Sequence, residues 1–193
     1  MNEYTIAKKA FNNFGEVVKK SDFISVGLTD QEIYSLFKRK YIERVKKGYY
    51  RLSTSGEPKE ETVLSKLMSP GIISVESALF YYGYTDFTTR EWTITVPRSY
   101  SRTVKALQKI LPIKAYYVQG NLYSLGKKTG IFNDETLPVY DRERTICDCF
   151  KYRTKLDNEI FNKALNAYVA DEKVSALPTT FLPRRIFKAI RKI

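Results

Sequence analysis

A chain of 193 residues with 43% hydrophobic content has enough apolar surface to bury one large core or two small ones, which excludes disorder as its default state. Its 33 Lys and Arg outnumber 21 Asp and Glu, giving a formal charge of +12 that implies a polyanionic partner or a charged solubility surface. Histidine is absent, which removes the commonest general base, the Ser-His and Cys-His nucleophile pairs and the commonest zinc ligand.

In chain order, Ala7, Ala10, Phe11 and Phe14 recur at helical spacing and predict a helix over 3–14, capped by Asn2 and ended by Gly15. A shorter helix is expected from an N-cap at Ser21 through Phe23, Ile24 and Val26 to Gly27. Thr29-Asp30-Gln31-Glu32 then has the form of a capping box, which opens a third helix running to about Lys40. Residues 42–52 place β-branched and aromatic side chains on both sides of a Lys46-Lys47-Gly48 turn, the pattern of a tight hairpin. The small, polar stretch 53–58, broken by Gly56 and Pro58, is the expected linker, so the domains are read as 1–56 and 57–193. Both parts are basic: 11 basic against 6 acidic residues precede Gly56, and 22 against 15 follow it.

Beyond the linker, helices are expected over 60–68, 75–82, 104–110, 142–152 and 159–169, and strands over 91–96, 113–118, 121–125 and 137–140. The fold class is therefore α+β: an N-terminal winged helix-turn-helix followed by a mixed α+β domain. At the end of the chain Ile186, Phe187, Ile190 and Ile193 share one face of an amphipathic basic helix, suited to pack on the second domain, to touch DNA phosphates or, least, to lie on a membrane. Cys147 and Cys149 stand too close together for a useful disulfide and lack companions for a thiolate metal site, so they read as reduced thiols. The N-terminus has no apolar leader, and no apolar run approaches the roughly 18 residues that span a bilayer. A cytoplasmic protein without membrane contact is expected.

The third helix carries the functional reading. Ile33, Leu36 and Phe37 fall in one arc and leave Gln31, Tyr34, Ser35 and Lys38 on the opposite face. A helix that enters the major groove needs amide, hydroxyl and cationic groups for base edges and peripheral cations for phosphates. Thr29, Gln31, Tyr34, Ser35 and Lys38 are the candidates for the groove, with Arg39 and Lys40 for the backbone. The hairpin adds Arg44, Lys46, Lys47, Tyr49 and Arg51, a basic ribbon for phosphates. Any one of these charge runs is commonly a solvated face; the order of capped second helix, Gly-containing turn and basic ribbon points to double-stranded DNA as the partner.

Gly27-Leu28-Thr29, Leu36-Phe37-Lys38-Arg39-Lys40 and 42–52 resemble the N-terminal domain of AbiEi-type antitoxins, the regulatory halves of type IV abortive-infection toxin–antitoxin pairs. The likeness continues through 74–79, 83–86, 94–97 and 141–149 and so covers most of the chain. The resemblance implies repression of the pair's own promoter, through an operator expected to hold inverted repeats. It also implies neutralisation of a nucleotidyltransferase-like toxin, with or without direct contact. Two departures stand out: Lys40-Tyr41 occupies the place where Gly commonly ends helix three, which predicts a longer helix, and the cysteines occupy positions near Ile146 that are more often aliphatic.

Further candidates for phosphate or toxin contact are Arg98, Ser99 and Arg102, between a strand and a helix, Arg142 and Arg144, and Arg184, Arg185 and Lys188 at the end of the chain. For Arg142 and Arg144 a capped helix start with alternating charges is the better reading, and for 98–102 an ordinary basic loop is an equal one. No metal, cofactor or catalytic residue is expected: a nuclease or nucleotidyltransferase needs clustered carboxylates, and the acids here are scattered. The alternative is a ligand-sensing winged-helix transcription factor without antitoxin activity, its pocket lined by Tyr81, Tyr82, Trp92, Tyr116 and Tyr117, although such aromatics more often form core.

Overall fold

The computed structural model describes residues 2–88 and 90–171 and is a mixed α+β structure. The chain divides between Leu67 and Met68 into two compact units, so the helix Glu60–Leu67 goes with the first although the polar stretch 53–58 precedes it.

The first unit begins with α1 (Glu3–Phe14), whose start is capped by the Asn2 side chain accepting from the Tyr4 amide and whose end is Gly15 at φ 92°. Next comes β1 (Val18–Lys19), a strand too short for any periodicity to announce. Then α2 runs over Lys20–Ser25 with Lys19 at the cap position, two residues before the expected cap at Ser21. Its first turn is held instead by Asp22, whose carboxylate accepts from the Lys19 amide at 3.0 Å. The helix closes with Gly27 at φ 101° while the Leu28 amide reaches back to the Phe23 carbonyl.

The third helix, α3, spans Asp30–Lys38. At its start the Thr29 amide and hydroxyl both donate to Glu32 Oε2 at 2.7 Å, and the Glu32 amide donates to Thr29 Oγ1 at 3.3 Å. At its end Lys40 adopts φ 57°, the Lys40 amide bonds the Phe37 carbonyl and the Tyr41 amide bonds the Leu36 carbonyl. That pair of bonds is the Schellman closure, made here by a lysine in the left-handed conformation that Gly adopts without strain. The expected lengthening of α3 to Lys40 does not occur, because Lys40 itself adopts the left-handed conformation that closes the helix.

The hairpin consists of β2 (Ile42–Lys46) and β3 (Tyr49–Leu52), joined through Lys47 and Gly48, the latter at φ 83°. A register shift between Arg44 and Lys46 marks a bulge at Val45. With β1 it forms a three-stranded antiparallel sheet in the order β1-β3-β2. The core beneath joins Ala7, Ala10, Phe11, Val18, Phe23, Leu28, Ile33, Leu36, Ile42 and Tyr50. Phe23 sits edge-on to both Phe11 and Tyr50. Each large side chain buried this way contributes about 1.5–3 kcal/mol, enough to fix the angle between α3 and the hairpin. Helix α4 (Glu60–Leu67) ends the unit.

The second unit contains β4 (Ile72–Ile73), α5 (Val75–Tyr81), β5 (Trp92–Pro97), α6 (Ser101–Leu107), β6 (Ile113–Val118), β7 (Lys127–Phe132), β8 (Glu135–Tyr140), α7 (Arg142–Lys151) and α8 (Asn158–Asp171). Its mixed sheet has the order β6-β5-β4-β8-β7. Strand β5 runs parallel to β6 and antiparallel to β4, while β8 runs parallel to β4 and antiparallel to β7. Val75, Leu79, Tyr84, Tyr116, Ile146, Cys149, Leu156, Phe161, Leu165 and Tyr168 form one core, joining α5, α7 and α8 to β6. A buried hydroxyl network ties α5 to the central strands: the Ser77 amide donates to Thr93 Oγ1, the Thr93 amide to Ser77 Oγ, and Thr95 Oγ1 to Ser74 Oγ.

Residues 121–125 are not a strand: Gly120–Tyr123 is a 3₁₀ turn, and the backbone turns out of the sheet at Gly120 (φ 60°) and Gly126 (φ 73°). The partner of β8 is instead β7, whose turn uses Asn133 (φ 44°) and Asp134 (φ 70°), the two positive φ values of a type I′ hairpin. The last helix read from sequence, with Arg184, Arg185 and Lys188, lies outside the described residues.

Candidate nucleic-acid interface

Between α3 and the hairpin lies a cleft of about 440 Å³ lined by Lys20, Asp30, Ile33, Tyr34, Phe37, Arg44, Lys47, Gly48 and Tyr50. The local fold explains its walls. Ile33 and Leu36 bury the inner face of α3 and leave Gln31, Tyr34 and Lys38 exposed on the outer one. The Lys20 amide donates to the Gly48 carbonyl at 2.8 Å, which ties the hairpin turn to the start of α2. Arg44 holds its guanidinium carbon 4.9 Å above the centre of the Phe37 ring, so the cation stands at the cleft rather than sweeping free. Lys38 Nζ lies 5.6 Å from the centre of the Tyr34 ring.

Among the described residues Lys38, Arg44, Lys46 and Lys47 form no ion pair. Lys20 does, with Asp30 at 2.6 Å, and Asp30 is the one acid in the cleft wall. Sequence reasoning missed Lys20; its signal was the Lys19-Lys20 doublet, which gains meaning only once β1 pairs Lys19 with Tyr49. Cationic walls with a tyrosine and a phenylalanine between them can hold phosphate by charge and a sugar or base edge by contact.

Other candidates are spent elsewhere. Arg51 pairs with Glu43 at 2.9 Å across the hairpin and donates to the Gly56 carbonyl. Arg39 turns towards α1, 3.8 Å from Glu3 and stacked on Tyr41 with 4.7 Å to the ring centre. Ser35 is half-buried, its hydroxyl donating to the same Glu3 carboxylate. Thr29 spends its side chain on the helix cap, Lys40 forms the helix end through its backbone and leaves its side chain exposed, and Tyr49 packs under Lys19. The capping bonds to Thr29 hold the Glu32 carboxyl below its ordinary range.

In the second unit Arg98, Ser99 and Arg102 are exposed. Arg142 pairs with Asp171 at 3.0 Å. Arg144 is built into the fold: its Nε donates to Asp148 at 3.0 Å, its NH1 to the Leu122 carbonyl at 2.7 Å, and its guanidinium lies over Tyr140. Asp141 caps α7 by accepting from the Arg144 amide, and burial raises the Asp148 pKa against the opposing pull of Arg144. Cys149 is buried beside Ile146, where an aliphatic side chain would fit, and Cys147 has its pKa pushed up to about 11 by burial.

The five aromatics read as a possible ligand pocket fall into separate groups, Tyr81 packing edge-on to Tyr82 with ring centres 5.0 Å apart. Tyr116 stacks in the core on Tyr152, Tyr81 and Trp92 pack against Phe132, and Tyr117 is exposed. Among the described residues no group of three or more His, Cys, Asp or Glu is placed to hold a metal ion, and no helix is long and apolar enough to cross a membrane. Compared with family models and with curated proteins, the chain matches none.

Proposed function

We propose that the first unit is a winged helix-turn-helix that docks on duplex DNA, with α3 in the major groove and the β2–β3 hairpin along the phosphates. The observation that carries this reading is the cleft in which Tyr34 of α3 faces Arg44 and Lys47 of the hairpin, with Lys20 beside them. Gln31 and Lys38 supply groups for base edges; Lys46 and Lys47 supply charge for the backbone. Further support comes from the order α1-β1-α2-α3-β2-β3, in which a helix pair and a hairpin share one apolar core.

On the residues that resemble AbiEi-type antitoxins, the whole chain acts as a DNA-binding antitoxin. It represses its own toxin–antitoxin operon and counteracts a nucleotidyltransferase-like toxin, acting in the cytoplasm as a binding protein rather than as an enzyme. A reporter fused to the DNA upstream of its own gene tests the regulatory half. Repression by the chain, relieved by Arg44→Gln with Lys47→Gln, is expected; equal reporter output with and without the chain contradicts it.

A further inference from the structure

From Trp92 to Asn133 the chain carries seven Lys or Arg and no Asp or Glu. This acid-free stretch folds as β5, a 3₁₀ turn (Arg98–Tyr100), α6, β6, a second 3₁₀ turn (Gly120–Tyr123) and β7, all within the second unit. Val104 and Leu107 are buried and fix the inner face of α6. Arg102, Lys105 and Lys109, spaced by three and four residues, therefore share its outer face and the turn that follows, with Arg98 one helical turn before Arg102. All four are exposed, and the run from Arg98 to Lys109 covers about 16 Å of axis.

The sheet register brings aromatic surface to the same end. Pro97 pairs with Val118, so the chain leaves β5 and β6 side by side into the two 3₁₀ turns. Tyr100 and Leu122, one in each turn, are 40% and 52% exposed, and Tyr117, one residue before the end of β6, is 39% exposed. Tyr117 pairs with Val96 and hence lies on the opposite sheet face from Tyr116, which is committed to the helical core.

A row of cations without an ion pair among the described residues, with exposed rings at its Arg98 end, is matched by a polyanion whose bases are unpaired. A duplex presents phosphate but keeps its base faces stacked inside, where the tyrosines have nothing to cover; an acidic peptide satisfies the cations and leaves the rings in water. We infer that the α6 face of the second unit binds a single-stranded nucleic acid, its phosphates along Arg98, Arg102, Lys105 and Lys109 and its bases stacked on Tyr100 and Tyr117. This site is separate from the duplex site proposed for the first unit.

The test uses the full chain carrying Arg44→Gln, Lys46→Gln and Lys47→Gln, so that the hairpin cations outside ion pairs do not contribute, and fluorescence anisotropy with labelled oligouridylate and oligothymidylate of about 20 nucleotides. Replacing Arg98, Arg102, Lys105 and Lys109 with Gln is expected to flatten the logarithmic salt dependence by about 3, four contacts at about 0.7 each. Tyr100→Ala and Tyr117→Ala are each expected to weaken binding about tenfold, and the Phe variants to restore it. Circular dichroism of every variant verifies folding. Tighter binding of the uridylate assigns RNA, and of the thymidylate single-stranded DNA. Unchanged affinity in the Gln variant overturns the inference, as do unchanged affinity in both Ala variants or equal binding of a duplex or of polyglutamate.

Discussion

At the level of single residues, charge type alone does not distinguish contact from scaffold. Arg44 and Arg51 lie on adjacent strands of one hairpin, yet Arg44 stands over Phe37 at the cleft while Arg51 is bound to Glu43 and Gly56. Arg44→Ala is expected to reduce the salt slope of duplex binding by about 0.9 with little loss of stability. Arg51→Ala is expected to cost about 1 kcal/mol of stability and leave the slope unchanged, measured by urea unfolding and anisotropy. Lys40 gives a second test: since it holds φ 57° at the end of α3, Lys40→Gly should stabilise the first unit by about 1 kcal/mol, and a lower unfolding midpoint would contradict the closure described. Glu32 gives the pH dependence. Its carboxyl is held below the ordinary value of 4.5 by the Thr29 cap, so its contribution is complete above that value and fades as pH falls through the lowered one. The difference in thermal midpoint between the native chain and Glu32→Gln should therefore shrink on acidification below pH 4.5.

At the level of elements, helices with a strong stripe and a cap were legible in the sequence. Residues 3–14 carry Ala7, Ala10 and Phe11 inward between Asn2 and Gly15, and the helix has those limits. The capping box at Thr29 and the hairpin around Gly48 were equally plain. What escaped was set by pairing rather than by pattern. Strand β1 is two residues long and exists because Val18 and Lys19 meet Tyr50 and Tyr49. Strand β7, Lys-Lys-Thr-Gly-Ile-Phe, is an edge strand whose polar, basic sequence matches its exposed position, and the Asn133-Asp134 turn was its one local signal. Of the candidate contact residues, Tyr34, Arg44 and Lys47 share a cleft. Arg39, Ser35 and Arg51 have partners of their own, Glu3, Tyr41 and Glu43, which no pattern local to α3 or β3 announces. In the second unit the buried hydroxyls are the sensitive joint. Thr93→Val removes the acceptor of the Ser77 amide and leaves that buried N–H unmet, which should cost about 1–3 kcal/mol in denaturant unfolding.

At the level of the whole molecule, two compact units with separate cores are the basis for expecting that the two proposed activities can be removed independently. Neutralising Arg44 and Lys47 is expected to abolish repression while cells that also express the toxin stay protected; loss of protection in that variant would place both activities on the first unit. Gln31→Ala or Lys38→Ala should relax operator choice by about 1–3 kcal/mol per lost base contact, read as the affinity ratio between operator and random duplex. The proposed docking requires α3 and the basic hairpin together to hold duplex DNA. It is tested most directly by titrating the full chain into a labelled fragment of its own promoter across a series of salt concentrations. The account predicts retention at low ionic strength, preference over random sequence, and a steep loss of affinity with salt that flattens when Lys46 and Lys47 become Glu. No retention at low ionic strength, or a salt slope indifferent to those two lysines, would contradict it.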